Sequence, residues 1–138
     1  MKIDLTNKTA VVTGATGQLG RTMVRSLAEC GANAGICYYN KKEFALELKD
    51  EIEKDYHVKA AAVQVDVTDL DSVMAMKRSI HQTLGVADII VNNAVIQVPE
   101  WKNVIDQSPE DYESQFKSCV MQNVHMAKTF VPDMQQQK

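Results

Sequence analysis

The chain has 138 residues, 45% of them hydrophobic, which is enough for one ordinary core and predicts a single domain over residues 1–138. Its 15 basic and 18 acidic residues are interspersed and give a net charge of −3, so no basic face for nucleic acid or anionic lipid is indicated. The first residues include no long apolar segment, which predicts no secretory signal, no membrane span and a cytoplasmic location.

Four short apolar runs alternate with four longer helical patterns. Alternation of this kind predicts crossover units on a parallel sheet, and therefore an α/β fold. The first strand is expected at residues 9–13 and the first helix at residues 17–30, ended by Gly31. The residues of this helix expected to face the core are Leu19, Met23, Val24 and Leu27.

The next two units repeat this pattern. Residues 33–39 predict a second strand, and residues 41–55 predict an amphipathic helix that buries Phe44, Leu48 and Ile52. Residues 58–65 predict a third strand, and residues 68–71 match a box that caps a helix start at Thr68. The helix that follows is expected to end at Gly85 and to bury the stripe Val73, Met76, Ile80 and Leu84.

Residues 88–91 predict a fourth strand, whose apolar composition suits a central position covered on both faces. After a long loop, Ser108 and Pro109 predict the start of a helix that runs toward residue 131. Part of the apolar face of this helix is also a candidate contact with another subunit. The residues expected to face inward are Tyr112, Phe116, Cys119, Val120, Val124, Ala127 and Val131.

The turn between the first strand and the first helix contains Gly14, Gly17 and Gly20. Glycines allow the backbone to turn sharply and to approach a pyrophosphate, while the free amides and positive end of the following helix attract its charge. The spacing differs from the dinucleotide fingerprint, and Arg21 stands where a Walker loop would have lysine, which argues against nucleotide triphosphate hydrolysis. The alternative is a tight turn that binds no ligand.

Unusual residues stand at the carboxyl ends of all four strands, where a doubly wound sheet binds its ligand. These ends are Thr13-Gly14, Tyr38-Tyr39-Asn40, Asp66-Val67 and Asn92-Asn93-Ala94. Together and in this order they resemble the short-chain dehydrogenase/reductase family, over essentially the whole chain. The resemblance implies a Rossmann-like three-layer sandwich, with an incomplete parallel sheet of about four strands in the order 3-2-1-4, and a bound NAD(P) cofactor.

The resemblance also implies which residues hold that cofactor. Asp66 and Val67 are similar to the family pair that receives the adenine ring, although Asp66 could instead only cap the next helix. Asn93, Ala94 and Val95 are similar to the segment that closes the pocket near the nicotinamide ribose, and valine replaces the usual glycine. The phosphates are assigned to Gly14, Gly17, Leu19 and Gly20, with Gln18 as a candidate polar contact and Thr16 as a further cofactor-binding residue, although the glycine spacing is similar to the extended, epimerase-like branch of the family.

The end of the second strand should decide between the two cofactors. An acid about 20 residues beyond the glycines would hold the ribose hydroxyls of NAD, but no acid occurs there before Glu43. Tyr39 and Asn40 are neutral, and Lys41 with Lys42 could neutralise a ribose phosphate, so NADP is favoured over NAD. The alternative is that both lysines are solvated helix residues.

Hydride transfer in the resembled family depends on a serine and on a tyrosine and a lysine spaced Tyr-x-x-x-Lys, where the lysine lowers the pKa of the tyrosine. The sequence ends before that region, so no catalytic residue is assigned and the domain is expected to be truncated at its carboxyl end relative to the family. Cys119 stands where the family has an asparagine, and core packing is expected for it. With Cys30 and Cys37 it predicts reduced, mostly buried thiols and no metal site.

The resemblance implies the cofactor-binding portion of an oxidoreductase that, when complete, transfers hydride between NADP(H) and a carbonyl or alcohol. One alternative is a catalytically silent dinucleotide-binding or subunit-association module, and another is a fragment from the epimerase-like branch. Without the family's further strands, the strand at residues 88–91 becomes an exposed apolar edge. The chain is therefore expected to form a homo-oligomer through the helix at residues 108–131, or to aggregate.

Overall fold

The computed structural model describes residues 3–96, 100 and 102–137. Its strands are β1 (Thr9–Val12), β2 (Asn33–Tyr38), β3 (Ala60–Gln64) and β4 (Ile89–Val91). Its helices are α1 (Gln18–Glu29), α2 (Lys42–Tyr56), α3 (Leu70–Leu84), α4 (Pro109–Phe116) and α5 (Gln122–Gln136). A single π-helical turn, Lys117–Met121, joins α4 to α5.

The four strands form one parallel sheet in the order β3-β2-β1-β4, which confirms the predicted α/β class and strand order. β1 lies between two neighbours, and Val12 is paired with Ile36 on one side and Val91 on the other. All four residues of β1 are buried, as expected for a strand covered on both faces. β4 is instead an edge of this sheet, and its three residues are only partly buried.

Helices cover both faces of the sheet, which confirms the three-layer sandwich. On one face, α1 and α2 pack around Val12, Val24, Ile36, Leu48 and Ile52. On the other face, α3 and α5 pack around Val11, Cys37, Met76, Ile80 and Phe130. Adjacent strand residues such as Val11 and Val12 therefore serve different cores, because successive side chains point to opposite faces.

Two predicted core residues on the first face are wrong. Leu19 is 69% exposed because the first turn of α1 extends past the end of the sheet, so the helix buries Gly20, Val24 and Ala28 instead, with Met23 and Leu27 partly buried against the core. Phe44 is 52% exposed, since α2 begins at Lys42 and turns Ala45, Leu48 and Ile52 inward.

Helix α3 buries Val73, Met76 and Ile80 as predicted, with Leu84 partly buried against them. Gly85 ends the helix with a φ of +86°, a conformation that favours glycine. The predicted cap at Thr68 is wrong by one residue. The side chain of Asp69 accepts a hydrogen bond from the amide of Asp71, because Thr68 is already hydrogen-bonded to Asp66.

The predicted helix at residues 108–131 forms, and its start is confirmed, since the hydroxyl of Ser108 accepts a hydrogen bond from the amide of Asp111 at 3.2 Å. Its predicted inward face is wrong. The residues expected to be buried, Tyr112, Phe116, Cys119, Val120, Val124, Ala127 and Val131, are all exposed. The buried side chains are Ser118, Gln122, Met126, Thr129 and Phe130.

This change of face has a physical reason. The amino-terminal half of the long helix lies over the loops that follow the strands, whose backbone groups need hydrogen-bond partners that an apolar side chain cannot supply. Farther along, α5 packs on α3 through Met126 and Phe130, and Lys77 forms an ion pair with Asp133 at 2.5 Å. The buried side of the long helix is therefore polar where it packs on the loops and apolar where it packs on the core beneath the sheet.

Candidate functional site

A cleft of about 770 Å³ lies over the carboxyl ends of the strands. Its walls are the glycine turn after β1 and the segments that follow β2, β3 and β4. The structure brings every residue predicted to hold a cofactor to this one cleft: Gly14, Thr16, Gly17, Gln18, Leu19, Gly20, Tyr39, Asn40, Lys41, Asp66, Val67, Asn93, Ala94 and Val95. Tyr38, Val65, Thr68, Ile96 and Ser118 also line it, and the sequence reasoning had not selected them.

The glycine turn is shaped by backbone contacts that leave no room for side chains. Gly14 has a φ of +61°, and a Cβ atom there would lie 2.8 Å from the Cα of Ala94. A Cβ atom on Gly20 would lie 2.3 Å from the carbonyl oxygen of Gly14. Gly17 has a φ of −74° and a nearest contact of 3.3 Å, so its backbone does not demand glycine.

The amino terminus of α1 opens onto the cleft without compensation by side chains. Gly17 is the capping residue and provides no side-chain hydrogen bond, and the first turn contains no acidic residue. The unpaired amides of a first helical turn carry partial positive charge, which makes such a terminus a binding site for an anionic group. The charge of this terminus suits an anionic group such as a phosphate.

Asn93 fastens the loop after β4 to the glycine turn. Its side-chain amide donates to the carbonyl oxygens of Thr13 and Gly14, at 3.0 and 3.1 Å. In return, the hydroxyl of Thr13 accepts hydrogen bonds from the backbone amides of Asn93 and Ala94, both at 3.1 Å. The two loops on this side of the cleft are therefore held by one continuous set of hydrogen bonds, which also includes the buried Thr13.

The two carboxylate oxygens of Asp66 differ in their hydrogen bonding. Its Oδ1 accepts hydrogen bonds from the amide and the hydroxyl of Thr68, at 2.9 and 2.7 Å, and so fixes the turn before α3. Its other oxygen, Oδ2, makes no hydrogen bond to any described residue of the chain. A carboxylate held by one oxygen can use the second to accept from an exocyclic amine, as adenine recognition requires.

The end of β2 presents polar side chains to solvent. Tyr39 is 63% exposed, and its carbonyl oxygen accepts a hydrogen bond from the side chain of Gln64 at 2.8 Å. Of the described residues that line the cleft, Lys41 is the cation and Asp66 the anion. Asp66 lies after β3, on a different wall of the cleft. The wall formed by Tyr39, Asn40 and Lys41 therefore contains no negative side chain.

The long helix contributes a set of residues that we term the polar face: Gln115, Ser118, Gln122 and His125. Each one hydrogen-bonds to the backbone of a loop that lines the cleft. Gln115 donates to the carbonyl of Ile96, and Ser118 accepts from the amide of Ile96 at 3.1 Å. Gln122 donates to the carbonyl of Ala94, and Nδ1 of His125 lies 3.1 Å from the carbonyl of Val67.

The polar face could have been found from its spacing, since positions separated by three or four residues share one side of a helix. The apolar stripe beside it instead predicted the opposite side of the helix as the buried one. His125 must carry its proton on Nδ1 in this arrangement, because a carbonyl oxygen can only accept.

All three cysteines are free, and they differ in environment. Cys37 is buried, and loss of hydration raises the pKa of its thiol to about 12. Cys119 is exposed on the π-helical turn, so core packing is wrong for it, because the turn directs Ser118 inward in its place. Nowhere in the described part of the chain do three or more histidine, cysteine or acidic side chains group as metal ligands would.

No helix among residues 3–96, 100 and 102–137 combines the length and apolar character needed to cross a bilayer.

Residues 8–138 match the family described as short chain dehydrogenase. A 3-oxoacyl-[acyl-carrier-protein] reductase of Staphylococcus aureus (strain Mu50 / ATCC 700699) is 38% identical over 108 residues, which cover 72% of this chain and 44% of the relative. The uncharacterized oxidoreductase YhdF of Bacillus subtilis (strain 168) is 30% identical over 135 residues, covering 96% of this chain and 45% of the relative. The chain thus spans less than half the length of these relatives.

Solved structures agree with this similarity. The L-sorbose reductase from Gluconobacter frateurii, complexed with NADPH and L-sorbose, superposes with a TM-score of 0.89 at 26% sequence identity. The match covers 99% of this chain and 51% of that one. A short-chain type dehydrogenase/reductase from Mycobacterium marinum gives a TM-score of 0.87 at 28% identity, covering 97% of this chain and 53% of the other.

Proposed function

Because this chain belongs to the short-chain dehydrogenase family, we propose that its cleft binds NADP(H) as the cofactor-binding portion of an oxidoreductase. The complete enzyme would transfer hydride between NADP(H) and a carbonyl or alcohol substrate. One observation carries this proposal: the uncapped start of α1 opens onto the cleft, behind a turn that Gly14 and Gly20 allow to pack closely against backbone atoms. A helix start of this kind binds phosphate groups through its free amides and positive end.

The other walls of the cleft supply the remaining contacts. Residues from Gly14 to Gly20 hold the diphosphate, and Oδ2 of Asp66 accepts from the adenine amine while Val67 packs on the ring. Asn93, Ala94 and Val95 border the nicotinamide half. When bound, the reduced cofactor supplies the hydride, and this chain's residues bind and orient it.

We propose NADP(H) over NAD(H) because of the wall formed by Tyr39, Asn40 and Lys41. A carboxylate at this position would repel the 2′-phosphate of NADP(H), whereas the Lys41 ammonium attracts it. The relative from Gluconobacter frateurii, which was crystallised with NADPH, supports this choice.

Titration with NADPH and NADH, followed by nicotinamide fluorescence, tests both parts of the proposal. We expect NADPH to bind about tenfold more tightly, as one charge-assisted contact of about 1.5 kcal/mol would give. Lys41→Ala should remove most of that preference. Lys42→Ala is the matched control, since Lys42 is the first residue of α2 and is not among the residues lining the cleft. Failure of both nucleotides to bind would refute the proposed function.

We also propose that copies of the chain associate through the outer face of the long helix. Exposed apolar side chains follow one another along it: Tyr112, Phe116, Val120, Val124 and Val131. An apolar stripe of this length on a soluble helix is typical of a protein contact. The cytoplasm is the proposed location, because three free cysteines are typical of a reducing compartment.

A further inference from the structure

Gln122 is a buried amide at the start of α5, directly behind the cleft wall. Its side chain is almost fully enclosed, with 2% of the residue exposed. Burial of an amide without partners is costly, and here both polar atoms of the amide have a hydrogen-bond partner. Its Nε2 donates to the carbonyl of Ala94, and its Oε1 lies 3.2 Å from the hydroxyl of Thr13.

The contacts of the Thr13 hydroxyl determine which group donates and which accepts in each hydrogen bond. The Thr13 hydroxyl accepts from the amides of Asn93 and Ala94, so it has one proton left to donate. Oε1 of Gln122 is the nearer acceptor at 3.2 Å, compared with 3.4 Å to the carbonyl of Val91. Gln122 thus accepts from Thr13 with one end of its amide and donates to Ala94 with the other.

Ala94 is held at both of its backbone polar groups by this arrangement. Thr13 holds its amide, and Gln122 holds its carbonyl. Its position also sets the shape of the cleft, because a Cβ atom on Gly14 would lie only 2.8 Å from the Cα of Ala94. A small displacement of Ala94 would therefore move the wall that continues into Val95, which is 61% exposed at the mouth of the cleft.

We propose that Gln122 is a positioning residue, which holds Ala94 and Val95 in place for the nicotinamide half of the cofactor. This inference rests on the proposed function. Its effect should be greatest at the end of the cleft formed by Ala94 and Val95, because Gln122 contacts Ala94 directly, whereas Asp66 and the first turn of α1 are not bonded to Gln122. Loss of the amide should therefore weaken binding of the whole dinucleotide and leave binding of its adenosine half unchanged.

The test compares NADP⁺ with 2′,5′-ADP, which lacks the nicotinamide half, by calorimetric titration of the chain. Gln122→Met keeps the volume of the side chain and removes both hydrogen bonds. We expect it to weaken NADP⁺ binding about tenfold, the cost of one unsatisfied buried carbonyl, and to change 2′,5′-ADP binding less than twofold. Gln135→Met is the matched control on the exposed side of α5 and should change neither.

A second variant tests the direction of the hydrogen bonds. In Gln122→Glu, a carboxylate can still accept from Thr13 but cannot donate to Ala94, whereas the protonated acid can do both. We expect NADP⁺ affinity relative to the unsubstituted chain to be weakened about tenfold at pH 8 and to recover at least threefold by pH 5.5. Burial of the carboxylate alone would weaken 2′,5′-ADP binding to the same extent, whereas a positioning role confines the loss and its recovery to NADP⁺.

The outcomes separate this inference from the proposed function. If the unsubstituted chain binds both nucleotides and Gln122→Met binds NADP⁺ equally well, the positioning role is refuted and the proposed function stands. Equal weakening of both nucleotides by Gln122→Met, with no recovery of Gln122→Glu at low pH, also refutes it by indicating general damage. If the unsubstituted chain binds neither nucleotide, the proposed function fails and this inference fails with it.

Discussion

Gly20 lies in the first turn of α1, where any side chain would meet the backbone of the turn before it. A Cβ atom at this position would approach the carbonyl oxygen of Gly14 to 2.3 Å, and nothing flexible is available to move. Alanine is the better helix former by about 1 kcal/mol, but this clash exceeds that gain. At Gly17 the nearest approach is 3.3 Å, so glycine is a weaker requirement.

Replacement of these two glycines should therefore have unequal effects on stability. We expect Gly20→Ala to lower the free energy of unfolding by about 1–3 kcal/mol, the usual cost of overpacking against rigid neighbours. Gly17→Ala is the matched control and should stay within about 0.5 kcal/mol of the unsubstituted chain. Urea denaturation followed by circular dichroism measures both changes. Equal stability of the two variants would contradict the contact geometry at Gly20.

The three thiols should react with alkylating reagents at very different rates. Burial raises the pKa of the Cys37 thiol to about 12, so almost no thiolate forms near neutral pH and the reagent has no access to the sulfur. Cys119 is exposed. We expect rapid labelling of Cys119 and none of Cys37 in the folded chain at pH 7.5, as read by mass spectrometry of peptides. Labelling of Cys37 without denaturant would show that its core opens readily.

At the scale of elements, the apolar periodicity of the long helix predicts the wrong buried face. Tyr112, Phe116, Val120 and Val124 follow one another at intervals of four, and such a stripe usually marks the buried face. Here the buried face holds Ser118 and Gln122, because the helix crosses loops whose backbone groups need partners. The sequence shows that the helix is amphipathic, but the surface it packs on is a tertiary property.

Helices α1 and α2 are joined by a bidentate ion pair. Nε and Nη2 of Arg25 donate to the two carboxylate oxygens of Glu51, at 2.6 and 2.8 Å. The hydrogen bond with Arg25 lowers the pKa of the Glu51 carboxyl below its ordinary value. A carboxyl with a lowered pKa in the folded state stabilises that state above its unfolded pKa, and this contribution disappears as the pH falls through the folded pKa.

Glu51→Gln should therefore cost stability only where Glu51 is ionised. We expect a loss of about 0.5–1 kcal/mol at pH 7, small because both side chains are about one-third exposed and screened by solvent. The difference should be constant from pH 8 to pH 5, should begin to fall near the unfolded pKa of about 4.3, and should disappear as the pH falls through the lowered pKa of the folded-state carboxyl. Glu47→Gln is the control on the exposed side of α2. Urea unfolding across this pH range measures the difference in the free energy of unfolding. A loss of stability that grows on acidification would contradict the assigned direction of the pKa shift.

At the scale of the whole molecule, two apolar surfaces lie open on neighbouring elements. β4 is an edge strand with partly buried side chains, and the outer face of the long helix exposes Val120 and Val124. Unpaired edges and apolar stripes favour association.

We expect the chain to sediment as a dimer or larger species at tens of micromolar. Val120→Lys with Val124→Lys should shift it toward monomer, because two charges at the contact oppose burial. The matched control is Phe44→Lys with Leu46→Lys, which changes two equally exposed apolar residues of α2. Sedimentation velocity distinguishes these outcomes. A monomeric unsubstituted chain would contradict the association.

The sequence predicted the strand order through its resemblance to the family, and it predicted the position of the cleft because strand ends in a parallel sheet converge at one edge. It identified Asp66 and Asn93 by their place after a strand. It predicted the wrong buried face for the long helix and so missed Ser118 on the cleft wall and Gln122 behind it, although their spacing places both residues on one side of the helix. Leu19 was misjudged for a related reason, as the first turn of α1 lies beyond the sheet.

The central place of β1 has a consequence for synthesis on the ribosome. β1 pairs on one side with β2, which is synthesised soon after it, beginning with Thr9 opposite Asn33. On its other side, the amide of Thr9 donates to the carboxylate of Asp88, which lies 79 positions farther along the chain. At translation rates of 5–20 residues per second, this partner emerges only after about ten seconds. Every nascent chain therefore passes through a stage in which the side of β1 that pairs with β4 is unpaired and accessible to chaperones.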